Sequence, residues 1–189
     1  MTQSAQVLLV PSHHTFNHGH ATTLDELTAR GSTTLSEEML GWPLFLAPIY
    51  PYRAVSAETD QCYKRTLTAL MQFAPFTTVV SLGVQTSERG FLYLDRYTWG
   101  MIFLEGRRVA SFTHDTTKES HPPFICMEDW AEGGDREKIN TWSAEMWGTF
   151  FRVYINRICE REIAAARKVV ACAEADIAFH KLVAEAVPA

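Results

Sequence analysis

The chain has 189 residues, 47% hydrophobic and 21% charged, and a formal net charge of −5. That length suits one domain with a sizeable core and is short for two. Its 17 basic residues are dispersed, which argues against nucleic acid as the main partner and against a polybasic membrane contact.

No apolar stretch approaches the roughly 20 residues that a bilayer-crossing helix requires. The opening "MTQSAQVLLV" lacks the positively charged start of a signal peptide, so a cytoplasmic chain is expected. Cys62, Cys126, Cys159 and Cys172 form no C-x-x-C pair. They read as buried thiols, and a zinc ribbon is excluded by the spacing.

"QVLLV", Gln6 to Val10, is short, apolar and ended by Pro11, as a buried strand would be. Residues 11–20 follow as a histidine-rich loop with turn formers Pro11, Ser12, Asn17 and Gly19. "TTLDELTARG" predicts one or two helical turns, capped by Thr22 or Thr23 and stopped by Gly31. "GWPLFLAPIYPY" carries Pro43, Pro48 and Pro51, which forbid a regular helix and predict an extended run.

Ser56 predicts the start of a helix reaching about Phe73, with Tyr63, Leu67, Leu70 and Met71 at helical spacing. "FTTVVSLGV" predicts a strand, and residues 87–90 a turn. In the aromatic run that follows, Phe91, Tyr93, Tyr97, Trp99, Met101 and Phe103 are expected on one sheet face. Gly100 is expected to mark a bulge or a strand boundary, and Gly106–Arg107 to turn a hairpin. Residues 113–123 read as a polar connector.

Asp135 is a candidate N-cap, and no proline follows until Pro188, which predicts one long helix, or two joined at a kink, over about 135–187. Its first half is apolar nearly all round, from Trp142 to Ile158, as in a helix buried on more than one side. Its second half carries a stripe of mostly small residues: Ile163, Ala166, Val170, Ala173, Ile177, His180 and Ala184. The expected architecture is a single α+β domain, 1–189. An antiparallel sheet would pack against a central helix and a long C-terminal helix.

Four of the seven histidines, His13, His14, His18 and His20, lie in the N-terminal loop. Neutral imidazole ligates zinc, copper and iron, and several in one loop can meet one ion. Asp25 or Glu26 could accept from the second ring nitrogen of such a ligand. The opposing reading is a solvated loop with no chemistry.

A haem needs an axial imidazole, an apolar slot and cations for its propionates. Trp42, Tyr97 and Trp99 would supply walls, Arg107 and Arg108 the cations, and His180 a second ligand. With no C-x-x-C-H, such a haem would be non-covalent. A flavin held by strand backbone and aromatic contacts is also compatible with the sequence.

G-x-G-x-x-G, Walker A and G-x-S-x-G motifs are all missing, so motif-bound nucleotides and a serine elbow have no support. His114 with Asp115, Ser81 and Cys126 are single residues without context.

Two functional expectations follow. One is a small cytoplasmic redox protein or oxidoreductase holding haem or another metal centre through histidine, with or without a flavin. The other is a non-catalytic accessory or regulatory module that binds a protein partner and has no cofactor. Surplus apolar surface on the final helix predicts a homodimer under either reading.

Overall fold

A computed structural model describes residues 4–11, 23–29, 31–47, 53–86, 88–94, 97–115, 126–127 and 141–186. The sheet framework starts from β1 (Gln6–Val10), whose last four residues are all buried, as the apolar run requires. It pairs in parallel with β5 (Thr77–Ser81), Leu8 opposite Val79, and antiparallel with β2 (Thr33–Thr34).

On the other side of β5 come β8 (Tyr97–Leu104), β9 (Arg107–Asp115) and β10 (Cys126–Met127), all paired antiparallel. This six-stranded sheet has the order β10-β9-β8-β5-β1-β2. A second, four-stranded sheet runs β4 (Arg53–Ala54), β3 (Leu44–Leu46), β7 (Phe91–Leu94), β6 (Gly83–Gln85), with β3 and β7 parallel. The protein is therefore α+β as expected, but its sheets are mixed, and the described residues form two of them.

The expected strand "FTTVVSLGV" is cut at Leu82 into β5 and β6, which serve different sheets. Phe91 and Tyr93 likewise belong to the small sheet, so they do not share a face with Trp99. Period-2 alternation continues across a sheet change and gives no sign of it. Trp99, Met101 and Phe103 do share a face, in one buried cluster with Leu8, Val10, Leu27 and Val79.

Gly100 marks neither a bulge nor a boundary. It pairs with Val80 and Phe112 inside the continuous β8, and the register shift falls later, between Ile102 and Phe103. The hairpin turns at Glu105–Gly106, with φ of 51° and 78°, the two positive values that a tight primed turn needs. Arg107 already belongs to β9. That strand runs on to Asp115, so residues 113–115 extend the ladder instead of opening a connector.

Helix α1 (Leu24–Thr28) has a full capping box: the Thr23 hydroxyl accepts from the Glu26 N–H at 3.2 Å. The Glu26 carboxylate accepts from the Thr23 N–H at 2.8 Å. A 3₁₀ turn covers Glu38–Gly41. Helix α2 (Ala57–Met71) starts on Ser56, whose hydroxyl accepts from the Thr59 N–H, and buries Cys62, Thr66, Leu67, Ala69 and Leu70.

The last helix, α3, is one uninterrupted helix, Ala144–Ala186. Residues 141–143 just before it are not helical, and the rest of the segment expected from about 135 lies outside the described residues. Ser143 closes the first turn, its hydroxyl accepting from Met146 N–H at 3.2 Å and its carbonyl from Trp147 N–H at 3.0 Å. Asp135 lies outside the described residues.

Contacts divide the chain into two units, Met1–Phe151 and Arg152–Ala189. In the first, Phe151 lies 6.1 Å from Phe73 and 5.9 Å from Phe112, ring centre to ring centre. The apolar first half of α3 is buried along one side and not all round. Trp147, Phe150, Phe151, Tyr154 and Ile155 are buried, while Met146 and Val153 are exposed. Among the described residues no helix is long and apolar enough to cross a membrane.

Candidate protein-interaction surface

The composition of α3 beyond Arg152 explains why it is helical. Alanine recurs throughout, with Arg, Lys, Glu and Leu between, and neither glycine nor proline interrupts it. What the sequence does not provide there is a core. Every residue from Cys159 to Ala186 is exposed. Ile163, Val170 and Ile177 are 51, 55 and 57% exposed, and they recur at seven-residue spacing on one face. Val169, Phe179, Leu182 and Val183 are exposed as well, with Phe179 and Leu182 on the opposite side of the helix.

Helices of this length in water owe most of their stability to a covered apolar face. A sustained seven-residue repeat of apolar residues is the pattern of a helix that pairs with another helix. The small residues of the stripe are its most visible feature in the sequence. The more telling signal is the β-branched residue at each seventh position.

The candidate cofactor residues are placed as follows. His13, His14, His18 and His20 lie outside the described residues. Trp99 is buried in the core cluster named above, and its backbone N–H donates to the buried Ser81 hydroxyl at 2.8 Å. Ser81 is thus occupied in closing the strand ladder.

Trp42 is half-buried with its ring against Gly90, where a Cβ would come within 2.5 Å of the indole. Its carbonyl accepts from Lys64 Nζ, which also pairs with Asp60 at 3.2 Å. Arg107 and Arg108 are exposed where β9 leaves the hairpin. Arg108 pairs with Phe103, four positions along β8 from Trp99 and so about 13 Å away along the strand.

Tyr97 pairs with Asp115, and His114 with Thr98, through the backbone of β8 and β9; the side chains of Tyr97, His114 and Asp115 are outside the described set. His180 is exposed on α3, its ring 5.7 Å from that of Phe179. Among the described residues no group of three His, Cys, Asp or Glu side chains is placed to hold a metal ion.

Two further features belong to the first unit. Phe45, Phe91 and Tyr93 form a half-buried aromatic row on the small sheet, with ring centres 5.2 Å apart for Phe45–Phe91 and 6.5 Å for Phe91–Tyr93. On α2, burial pushes the Cys62 thiol up to about 11 against a small opposing pull from Arg65. Burial also raises the Tyr63 phenol. These groups are held in neutral form, the opposite of an activated nucleophile.

No protein-family model, curated protein or solved structure matches this chain.

Proposed function

We propose that the chain is a non-catalytic protein-interaction module that self-associates through the apolar face of α3 between Cys159 and Ala186. One observation carries the reading: Ile163, Val170 and Ile177 are all more than half exposed on one helical face. These side chains are already almost half covered, so covering the rest of each contributes about 1–1.5 kcal/mol, and a pairing supplies all of them twice. Homodimers are the commonest outcome when a chain carries surplus apolar surface of this kind.

Charge supports the same reading. Glu160, Glu162, Arg167, Glu174, Asp176 and Lys181 flank the apolar stripe with both signs of charge, as in helices that meet other helices in water. A membrane-surface helix would instead gather lysine and arginine on its polar face.

Sedimentation equilibrium of the full chain tests the proposal. The wild type should be dimeric at micromolar concentration. The double variant Val170→Glu, Ile177→Glu should be monomeric with the near-ultraviolet signal of its buried tryptophans retained. A wild type that stays monomeric, or a dimer indifferent to both substitutions, overturns it.

A further inference from the structure

The self-association proposed above leaves the direction of pairing open, and the residues on α3 decide it. We infer that two copies of α3 pair antiparallel, in the register that sets Val170 of one copy beside Ala173 of the other. The same register sets Ile177 beside Ala166 and Ile163 beside His180. Large side chains alternate with small ones along the stripe: Ile163, Ala166, Val170, Ala173, Ile177.

In an antiparallel pair each β-branched residue of the central layers therefore faces an alanine, and every such layer has similar width. A parallel in-register pair would stack Ile on Ile and Val on Val, then Ala on Ala. Two helix axes held about 8–10 Å apart cannot fit wide and narrow layers alternately without leaving voids.

Flanking charges select one antiparallel register. In it, Glu174 comes beside Arg167 of the second copy, and Lys181 beside Glu160 of the second copy. Sliding one helix by seven residues in one direction sets Arg167 against its own counterpart. Sliding it in the other direction sets Glu174 against its own counterpart. Like charges at those flanking positions oppose pairing. A parallel pair would also match charges, Glu162 with Arg167 and Asp176 with Lys181, so packing of the apolar layers is what separates the two directions.

Native Cys159 gives a direct readout. In the antiparallel register it faces Ala184 of the second copy, while the two Cys159 residues are about 37 Å apart along the axis. In a parallel pair the two Cys159 residues face each other within the Cα separation of about 4.4–6.8 Å that a disulfide spans.

Full-length chains carrying Cys172→Ala should be oxidised mildly, and the linked peptides identified by mass. The Cys172→Ala chain should form no Cys159–Cys159 link. Adding Ala184→Cys should give a dimer linked between positions 159 and 184, at least tenfold above the parent. Adding Cys159→Ala to that chain should abolish the link.

A Cys159–Cys159 link in the parent, or a 184–184 link in the last chain, overturns the antiparallel arrangement while leaving self-association intact. A dimer by sedimentation that never links 159 to 184 overturns the register. A monomer by sedimentation removes the proposed function along with it.

Discussion

The ring of Phe112 fills the space directly over Gly100. A Cβ at position 100 would lie 2.0 Å from Phe112 Cζ, closer than any real contact, and both residues sit in the buried centre of the β8–β9 ladder. The glycine serves a neighbour's volume and not its own backbone freedom. Gly100→Ala should therefore destabilise the protein by about 1–3 kcal/mol through overpacking. At this chain length that is a fall of roughly 2–12 °C in Tm, read by thermal unfolding. Phe112→Leu, destabilising in the wild type, should recover part of the loss in the Gly100→Ala background. An alanine variant as stable as the parent would show that the ring moves aside freely.

Ser81 and Trp99 make a similar pair with a polar joint. The buried Ser81 hydroxyl accepts the Trp99 N–H at 2.8 Å just past the last β5–β8 backbone pair. Ser81→Ala removes that acceptor in a water-free setting and should cost about 1–3 kcal/mol. Urea unfolding should show a lower midpoint with an unchanged slope. If Ser81 were a nucleophile instead, its loss would leave the midpoint where it is.

How much of the fold is legible from sequence depends on whether the signal is local. The Thr23 and Ser56 caps, β1, α2 and the long last helix are each written in residues within a few positions of one another, and each is readable. The change of sheet at Leu82 and the parallel pairing of β1 with β5 are not. Both depend on which distant strand lies alongside, and alternation within a strand is the same either way. Trp99 illustrates the consequence for the site. As an aromatic residue in an apolar run it suits a cofactor wall, and only the register with Val79 and Leu8 places it in a packed core. The stripe on α3 is visible in the sequence, but its exposure is not, because burial belongs to the neighbours and not to the helix.

The interaction-module reading makes a spectroscopic prediction against its redox rival. Purified protein should show an absorption spectrum featureless above 300 nm, and its unfolding midpoint should be unchanged by a chelator in excess. A Soret or flavin band, or a fall in stability on chelation, would instead support a centre held through His13, His14, His18 or His20. Substituting those histidines singly would then identify the ligand, since loss of one axial imidazole shifts the band.

Alkaline pH should weaken the fold through α2. The Cys62 thiol rises from its ordinary 9.0 to about 11 on burial, and the Tyr63 phenol beside it is raised from 10.0 for the same reason. Between about pH 9 and 11 the unfolded chain therefore releases the Cys62 proton while the folded chain keeps it. Stability contributed by the neutral thiol is complete below pH 9 and is lost as pH climbs through that window. A rise of that size corresponds to no more than about 3 kcal/mol from this group. Unfolding free energy measured from pH 8 to 11 should fall, and Cys62→Ala should flatten the part of the slope that begins near pH 9. Tyr63→Phe should flatten the part that begins one pH unit higher. The same burial protects the thiol from reagents: at pH 8 a maleimide should label exposed Cys172 in the native protein and Cys62 only after denaturation. Rapid native labelling of Cys62 would mean that α2 opens far more readily than its packing indicates.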